Sequence, residues 1–475
     1  MRIRALMLAA PLALGACALK PPPSQEELVR DALPNARVPA SWSAGGTRDA
    51  VADDWLQSFA DPRLSALVAE ALLYNTDLQV GATRVEQAVA ALKIAGASLA
   101  PAVDVLGRGA RKVAGGGTTD VTGVIVSASW ELDVWGRIRY GQRAAHEQLR
   151  SAAADYTYAR QSIAALVAKS WFVAAEASLQ RAFAQDAVAA SEKMIGIARV
   201  RVRVGTGNER DISLADASLQ TYRDTLRQLD LSRAQALRAL EVLAGRYPAA
   251  MLQAADTLPP LPSALASGIP AQLLERRPDV IAAERRVAAA FNRVGEAQAA
   301  RLPRLSLTAA INSISSTRFV LKDPDNPGGA IGGLLTWPLL TGGALEGQVE
   351  ARTAEQKRAV AEYAAIGLKA FNEVESALAA EATLVERERL LRQVVTDNER
   401  TVGFSEVQFR VGVIDMRAIL TDQLQLYASR VQLLRVQSEA LAQRVNLHLA
   451  LGGGITEPPP SPAPAAPASV GLNVR

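Results

Sequence analysis

The chain contains no proline between Pro101 and Pro248, and none between Pro338 and Pro458. Proline in a helix interior removes an amide donor and clashes with the preceding turn, so these are the windows in which long helices can run. The two windows also match each other. Arg203-Val204-Gly205 recurs as Arg410-Val411-Gly412, and apolar residues then fall seven apart, at Ile212, Leu219 and Leu226 and again at Ile419, Leu426 and Leu433. Leu229 and Val436 each add a residue three positions on, the a/d spacing of a stripe that keeps facing a partner helix. The chain is therefore an internal duplication. One helix is expected over Gly136 to Val202 and its counterpart over Gly343 to Phe409, each about 100 Å long at 1.5 Å per residue. After each Val-Gly turn a second helix of about 35 to 40 residues should end at Ala244-Gly245 or Leu451-Gly452. Ordinary soluble helices run to about three turns, so such lengths mark a fibrous or tubular object.

Four stretches break the helical period. Ala102 to Arg111 and Thr122 to Leu132 bracket Gly115-Gly116-Gly117, while Leu302 to Ser313 and Ala330 to Leu339 bracket a loop with Pro324, Pro327, Gly328 and Gly329. Both pairs read as β-hairpins. Val124, Val126, Ala128, Trp130 and Leu132 alternate with Ile125, Ser127, Ser129 and Glu131; Leu305, Leu307, Ala309 and Ile311 alternate with Ser306, Thr308, Ala310 and Asn312. One face is apolar and the other mostly polar, a pattern shared by membrane-crossing sheets and half-buried soluble ones. Trp130, Trp135 and Trp337 stand at the strand ends nearest the helices, where an aromatic belt lies in a membrane barrel. A sheet in hydrocarbon must close, because each unpaired backbone group costs several kcal/mol there. Four strands are too few, since bacterial barrels begin at about eight. Two or more copies must then pool their hairpins, and the helical stripes agree: one chain offers more apolar helix face than it can bury alone.

The first residues point to export. Met1-Arg2-Ile3-Arg4 is a basic n-region, and Ala5 to Leu14 is an apolar core too short to cross a bilayer as a helix. Leu14-Gly15-Ala16-Cys17 resembles a bacterial lipobox, which makes residues 1–16 a signal peptide and Cys17 the lipidated first residue of the mature chain. Cys17 is the only cysteine, so no disulfide forms within the chain. Ala18 rather than Asp follows it, which by the same resemblance favours sorting to the outer membrane. The net charge is +4, and losing Arg2 and Arg4 with the signal leaves it near neutral. No Lys/Arg run with interleaved aromatics appears, so nucleic acid is not an expected partner. Aromatics are only 5 % of the chain, which suits close-packed Ala/Leu helices better than a globular α/β core.

Catalysis finds no support. His146 and His448 are the only histidines and lie far apart, which assembles neither a metal site nor a triad. Gly205-Thr206-Gly207 lacks the third glycine and preceding strand of a nucleotide site and reads as a turn. Asp53-Asp54 and Glu373 with Glu375 read as solvated helix or loop faces rather than acid/base pairs. No cofactor and no metal are expected.

Several motifs, in order, resemble one family. Asp61-Pro62-Arg63-Leu64 with Asn75-Thr76-Asp77-Leu78, Trp130-Glu131-Leu132-Asp133-Val134-Trp135-Gly136-Arg137, Arg276-Arg277-Pro278-Asp279-Val280 with Ala283-Glu284, and Trp337-Pro338-Leu339-Leu340-Thr341-Gly342-Gly343 look like the signatures of the outer-membrane efflux ducts, the TolC-like and OprM-like proteins, in their lipoprotein branch. The resemblance covers about Trp55 to Gly452. It implies a mainly α fold with transmembrane β: a homotrimer whose twelve-stranded β-barrel, four strands per chain, continues into a twelve-helix α-barrel crossing the periplasm. It also implies an inner-membrane pump and a periplasmic adaptor as partners, and an outer-membrane location in a Gram-negative bacterium.

Residue roles follow from the resemblance. Arg203, Val204, Gly205, Arg410, Val411 and Gly412 form tip turns where the adaptor docks, although turn geometry by itself explains glycine there. Asp211, Asp415, Arg417 and Asp422 are candidates for a periplasmic gate; Asp211 and Asp415 also suit helix starts, and Gln425 stands where the OprM-like pattern often has arginine. Gly136, Gly342 and Gly343 are the strand-to-helix junctions. The domain expectation is an extended, lipid-anchored segment 17–60 with an extended leader at Pro21 to Pro39, repeat 1 at 61–246, a connector at 247–270 across the outside of the helical barrel, repeat 2 at 271–453, and a disordered Pro/Ala-rich tail at 454–475. The function implied is a passive exit duct for drugs or other small molecules. Ducts for type I protein secretion or heavy-metal efflux share the fold, and a structural coiled-coil envelope lipoprotein is the alternative from another class.

Overall fold

A computed structural model describes residues 19–454 apart from 50, 52, 115–116, 264 and 317–327. The expected signal peptide, Cys17 and the tail after Gly454 lie outside the described residues. In chain order the helices are α1 (Gln25–Ala32), α2 (Pro62–Tyr74), α3 (Thr76–Ala97), α4 (Arg137–Arg203), α5 (Glu209–Leu243), α6 (Pro270–Arg276), α7 (Pro278–Ala299), α8 (Ala344–Arg410) and α9 (Met416–Ala450). Strands β1 (Ala102–Ala114) and β2 (Gly117–Leu132) precede α4, and β3 (Arg304–Ser316) and β4 (Gly328–Thr336) precede α8. The duplication is plain in these bounds. α4 and α8 have 67 residues each, α5 and α9 have 35 each, and each pair starts 207 positions apart. α3 and α7, 22 residues each, start 202 positions apart because the stretch that follows the helix, with its hairpin, is longer in repeat 2, 300–343 against 98–136.

The chain divides into two compact units, one of Met1–Ala36, Gly81–Tyr156 and Pro278–Leu368, the other of Arg37–Val80, Thr157–Arg277 and Lys369–Arg475. The first unit holds a single antiparallel sheet in the order β1-β2-β3-β4. Its register carries the sequence alternation across all four strands. Val105 pairs with Val126, Val126 with Ile311 and Ile311 with Gly329; one step along, Val103 pairs with Ala128, Ala128 with Ala309 and Ala309 with Ile331. Since side chains of a strand alternate between faces, these residues share one face, and both rows are apolar. Asp104, Ser127, Ala310 and Ala330 form a row of the other face, as do Ser129, Thr308 and Gly332. β1 and β4 each have one neighbour in the sheet, so both outer edges are open within the chain. Val105 is 70 % exposed and Ile331 91 %, so nothing among the described residues covers the apolar face at these positions.

The same unit corrects the leader. Residues 25–32 are helical rather than extended, because Ser24 and Glu27 form a reciprocal capping box, a signal present in the sequence as Ser-x-x-Glu. Lys20 donates its amide to the Tyr140 hydroxyl at 3.0 Å, and the Leu19 side chain occupies the space that a side chain at Gly136 would need.

In the second unit Trp55, Phe59, Leu64, Val68, Trp171, Phe172, Leu237, Leu240, Leu441 and Val445 form the principal core. Ala164, Ala165, Ala168, Ala174 and Ala175 belong to it, small side chains that let helix backbones approach closely. The motif residues find structural roles here. Asp61 caps α2 through the amides of Arg63 and Leu64 and accepts the Trp171 indole N–H at 2.9 Å. Asn75, between α2 and α3, donates to the carbonyl of Leu243, the last residue of α5, at 3.0 Å. Arg277, between α6 and α7, donates to the carbonyl of Ala450, the last residue of α9, at 3.1 Å and to Glu373 at 2.6 Å. Each repeat thus ties its first bend to the end of its own second helix, with asparagine in one copy and arginine in the other. Each repeat begins with two helices, and α6 starts at Pro270, one residue inside the expected connector.

The carboxylates expected to be solvated are exposed or partly exposed, and they are also engaged. Asp53 bonds Arg276 and the Gly454 amide, Asp54 accepts from Gln57, and Glu375 accepts the Ser43 and Ala44 amides at 2.9 and 2.8 Å. Glu241 is buried and accepts the amides of Ala250, Met251 and Leu252 at 2.6–3.0 Å, which pins the connector. Burial pushes its carboxyl pKa up, but these amides outweigh burial and hold it below the usual range.

His448 stands 207 positions after Glu241. It is buried, stacks on Trp55 at 5.4 Å between ring centroids, and neither ring nitrogen has a hydrogen-bond partner among the described residues. Burial, aided by the charge of Arg444, lowers its pKa to about 3 from 6.5. Between those values the unfolded chain binds the proton and the folded chain does not. The contribution of neutral His448 is therefore complete above pH 6.5 and is lost as the pH falls toward 3, at about 1.4 kcal/mol per pH unit. His448→Gln is expected to lose this acid sensitivity: thermal unfolding in detergent from pH 7.5 to 4.5 should show a smaller fall in Tm for the variant.

Candidate functional site

The α4–α5 and α8–α9 turns are built alike. Gly205 donates to the Val202 carbonyl and Thr206 to that of Arg201; Gly412 donates to Phe409 and Val413 to Gln408. This paired pattern closes a helix with one left-handed residue, and the two glycines have φ of +79° and +81°. A Cβ at either would meet no atom within 4 Å, so conformation rather than space requires glycine. Arg203, Val204, Arg410 and Val411 are exposed.

Beneath the turns Met194, Ile195, Ala198, Ala215, Leu219, Phe409, Met416 and Ile419 form a cluster drawn from all four long helices. Arg201 crosses from one turn to the other. Its guanidinium lies 4.8 Å from the Phe409 ring centroid and donates to the carbonyls of Phe409 and Thr206 at 3.3 and 3.4 Å. Sequence reasoning passed over Arg201. Its signal is a break in the duplication, since Gln408 occupies the matching position.

The four acidic and basic candidates separate. Asp415 is the N-cap of α9 and accepts the Ala418 amide at 2.9 Å. Asp211 does not cap α5; Asn208 does, accepting the Asp211 amide at 3.0 Å. Arg417 is exposed, and Asp422 accepts a hydrogen bond from the buried Ser405 hydroxyl, which joins α9 to α8. Neither Asn208 nor Ser405 was singled out from sequence, although Asn208 stands one residue before α5 with the type of side chain that caps helices.

At the strand-to-helix junctions the two repeats differ. Before α4, Asp133 accepts the amides of Ile138 and Arg139, both at 2.9 Å, and the Arg139 guanidinium at 3.0 Å. Arg137 makes a two-point pair with Glu131 at 3.0 and 2.8 Å, and Gly136 has φ of +78°. Trp130 donates to the Leu99 carbonyl and Trp135 to that of Pro303, at 2.9 and 2.7 Å. Before α8, Gly342 and Gly343 have φ of +61° and +84°, and Trp337, Leu339 and Leu340 are exposed, Leu340 at 97 %. Among the described residues no group of three or more His, Cys, Asp or Glu side chains could hold a metal ion.

Comparison with known proteins agrees with this arrangement. The family described as outer membrane efflux protein matches the chain over residues 67–246 and 269–453. The toluene efflux pump outer membrane protein TtgF of Pseudomonas putida is 31 % identical over 472 residues, 96 % of this chain and 97 % of that one. The pyoverdine export outer membrane protein OpmQ of Pseudomonas aeruginosa is 28 % identical, over 94 % of this chain and 96 % of that one. The MtrE outer membrane channel of Neisseria gonorrhoeae, solved in its open state, superposes with a TM-score of 0.81 at 24 % identity, over 93 % of this chain and 98 % of that one.

Proposed function

This chain belongs to the outer membrane efflux protein family, and from that we propose that three copies of it close one twelve-stranded barrel and one twelve-helix tube. The chain is the outer-membrane channel of a tripartite efflux system, a non-catalytic conduit served by an inner-membrane pump and a periplasmic adaptor. The observation that carries the trimer is the sheet: apolar rows cross one face of all four strands, and its two open edges are ones that hydrocarbon does not tolerate. Acylated Cys17 anchors each copy in the outer membrane, Trp130, Trp135 and Trp337 mark the boundary of the bilayer, and the adaptor docks on the turns at Gly205 and Gly412. The cargo is small molecules. The names of TtgF and OpmQ specify toluene and pyoverdine, two dissimilar compounds, which suits a water-filled duct whose selectivity lies in its pump. Protein secretion or heavy-metal efflux through the same fold remains the second reading. A purely structural lipoprotein has no use for the apolar sheet.

Detergent-extracted protein should cross-link to a trimer and pass ions in planar bilayers; a stable monomer that passes none would end the proposal. The gate assignment of Asp211, Asp415, Arg417 and Asp422 has its own test. Asp422→Ala is expected to weaken block of the current by divalent cations, and an unchanged block would remove Asp422 from the gate.

A further inference from the structure

We propose that the first turn of α4 and the end of α7 form a seat for Leu19 and Lys20, and that this seat fixes the lipid anchor beside the strand-to-helix junction, so that anchor and sheet hold the bilayer as one body. The inference rests on the acylation of Cys17 proposed above. Gly136, the last residue before α4, leaves open the space that the Leu19 side chain fills, and a Cβ there would overlap it. Tyr140, in the first turn of α4, accepts the Lys20 amide with its hydroxyl at 3.0 Å. Phe291, on α7, lies under the Lys20 ammonium, with 5.9 Å between Nζ and the ring centroid. Gly295 makes room for the seat, since a Cβ there would stand only 2.7–2.8 Å from the Tyr140 ring.

Among the described residues the duplication offers no second seat. Gly347 stands 207 positions after Tyr140, and a Cβ at Gly343, the counterpart of Gly136, would meet no atom within 4 Å. Positive φ explains the glycine at both junctions; only the first also carries a tyrosine that holds the leader. Cys17 precedes Leu19 by two residues, a span of at most about 7 Å when extended. The acyl chains are therefore held close to Gly136, next to Trp135 at the boundary of the bilayer. An anchor on a long free tether restrains the body of a protein weakly, whereas a short fixed link gives its attachment a high effective concentration.

Unfolding in phospholipid vesicles tests this. The lipidated protein is compared with the same mature chain exported behind an ordinary signal peptide and left unacylated, with mass spectrometry reporting the acyl groups. Leu19→Gly, which empties the seat, is expected to speed thermal unfolding of the lipidated protein roughly fivefold, the scale of a small set of contacts. Loss of the acyl groups should act alike, and Leu19→Gly should add little to it, because the anchor works through the seat. Tyr140→Phe keeps the ring and removes the acceptor; it should act in the same direction, and it decides the matter if Leu19→Gly disturbs export. Wild-type unfolding rates in both lipidated variants, or the same loss with and without acyl groups, would overturn the seat and leave the duct and its anchor standing. Purified wild type without acyl groups would overturn the anchor and the inference together.

Discussion

Tryptophan at Gly412, or at Gly205, is expected to abolish export while the trimer still assembles and conducts in planar bilayers. The backbone there is left-handed, so any side chain costs about 1–2 kcal/mol, a loss confined to one turn. No atom lies within 4 Å of where the new Cβ would be, so the indole projects away from the chain rather than into it. Under the docking proposed above, what it meets is the adaptor. Drug susceptibility of cells carrying the tryptophan variant as their only copy should equal that of cells with no copy. Gly412→Asn is the control, because asparagine tolerates the left-handed conformation and stays small; resistance should remain close to wild type. Normal resistance with tryptophan would show that these turns are not the docking surface.

Arg444→Ala is expected to cost about 3–5 kcal/mol, the usual loss when one partner of a buried ion pair is removed. Arg444 is 2 % exposed, bonds both carboxylate oxygens of Glu381 at 2.8 and 2.7 Å, and donates to the Ser263 carbonyl at 2.6 Å. Alanine leaves the Glu381 charge without its partner in a largely dry site and frees the Ser263 segment of the connector. Arg444→Ala with Glu381→Leu should recover much of the loss, since removing both charges also removes the desolvation they impose. Chemical unfolding of the detergent-solubilised protein measures both, and equal stability of wild type and Arg444→Ala would contradict the role given to this pair.

The long helices and hairpins were legible because their signals are periodic. Proline exclusion marked the windows and the junction and turn glycines bounded the long helices to within a residue or two, and alternation in β2 and β3 extended correctly to β1 and β4 once the register was known. Turn glycines were legible for the same reason: each follows a periodic run and stands alone. The residues that tie elements together were not. Asp61 reaching Trp171, Asn75 reaching Leu243 and Arg277 reaching Ala450 join positions more than one hundred residues apart, and no local pattern encodes such a distance. Family resemblance pointed to these motifs without giving their reason. The leader departs from expectation for a different cause: the extended segment at Pro21 to Pro39 left out the local capping signal at Ser24 and Glu27, which starts a helix.

The open edges of the sheet carry a consequence for biogenesis. In the proposed trimer β1 and β4 are taken up by neighbours, and until then a new chain presents rows of free backbone donors and acceptors beside an oily surface, the combination that seeds aggregates. Supply must therefore be matched to insertion, and the compartment has to shield the chain on its way. Overproduction in a foreign host should be limited by that escort capacity rather than by the durability of the finished tube.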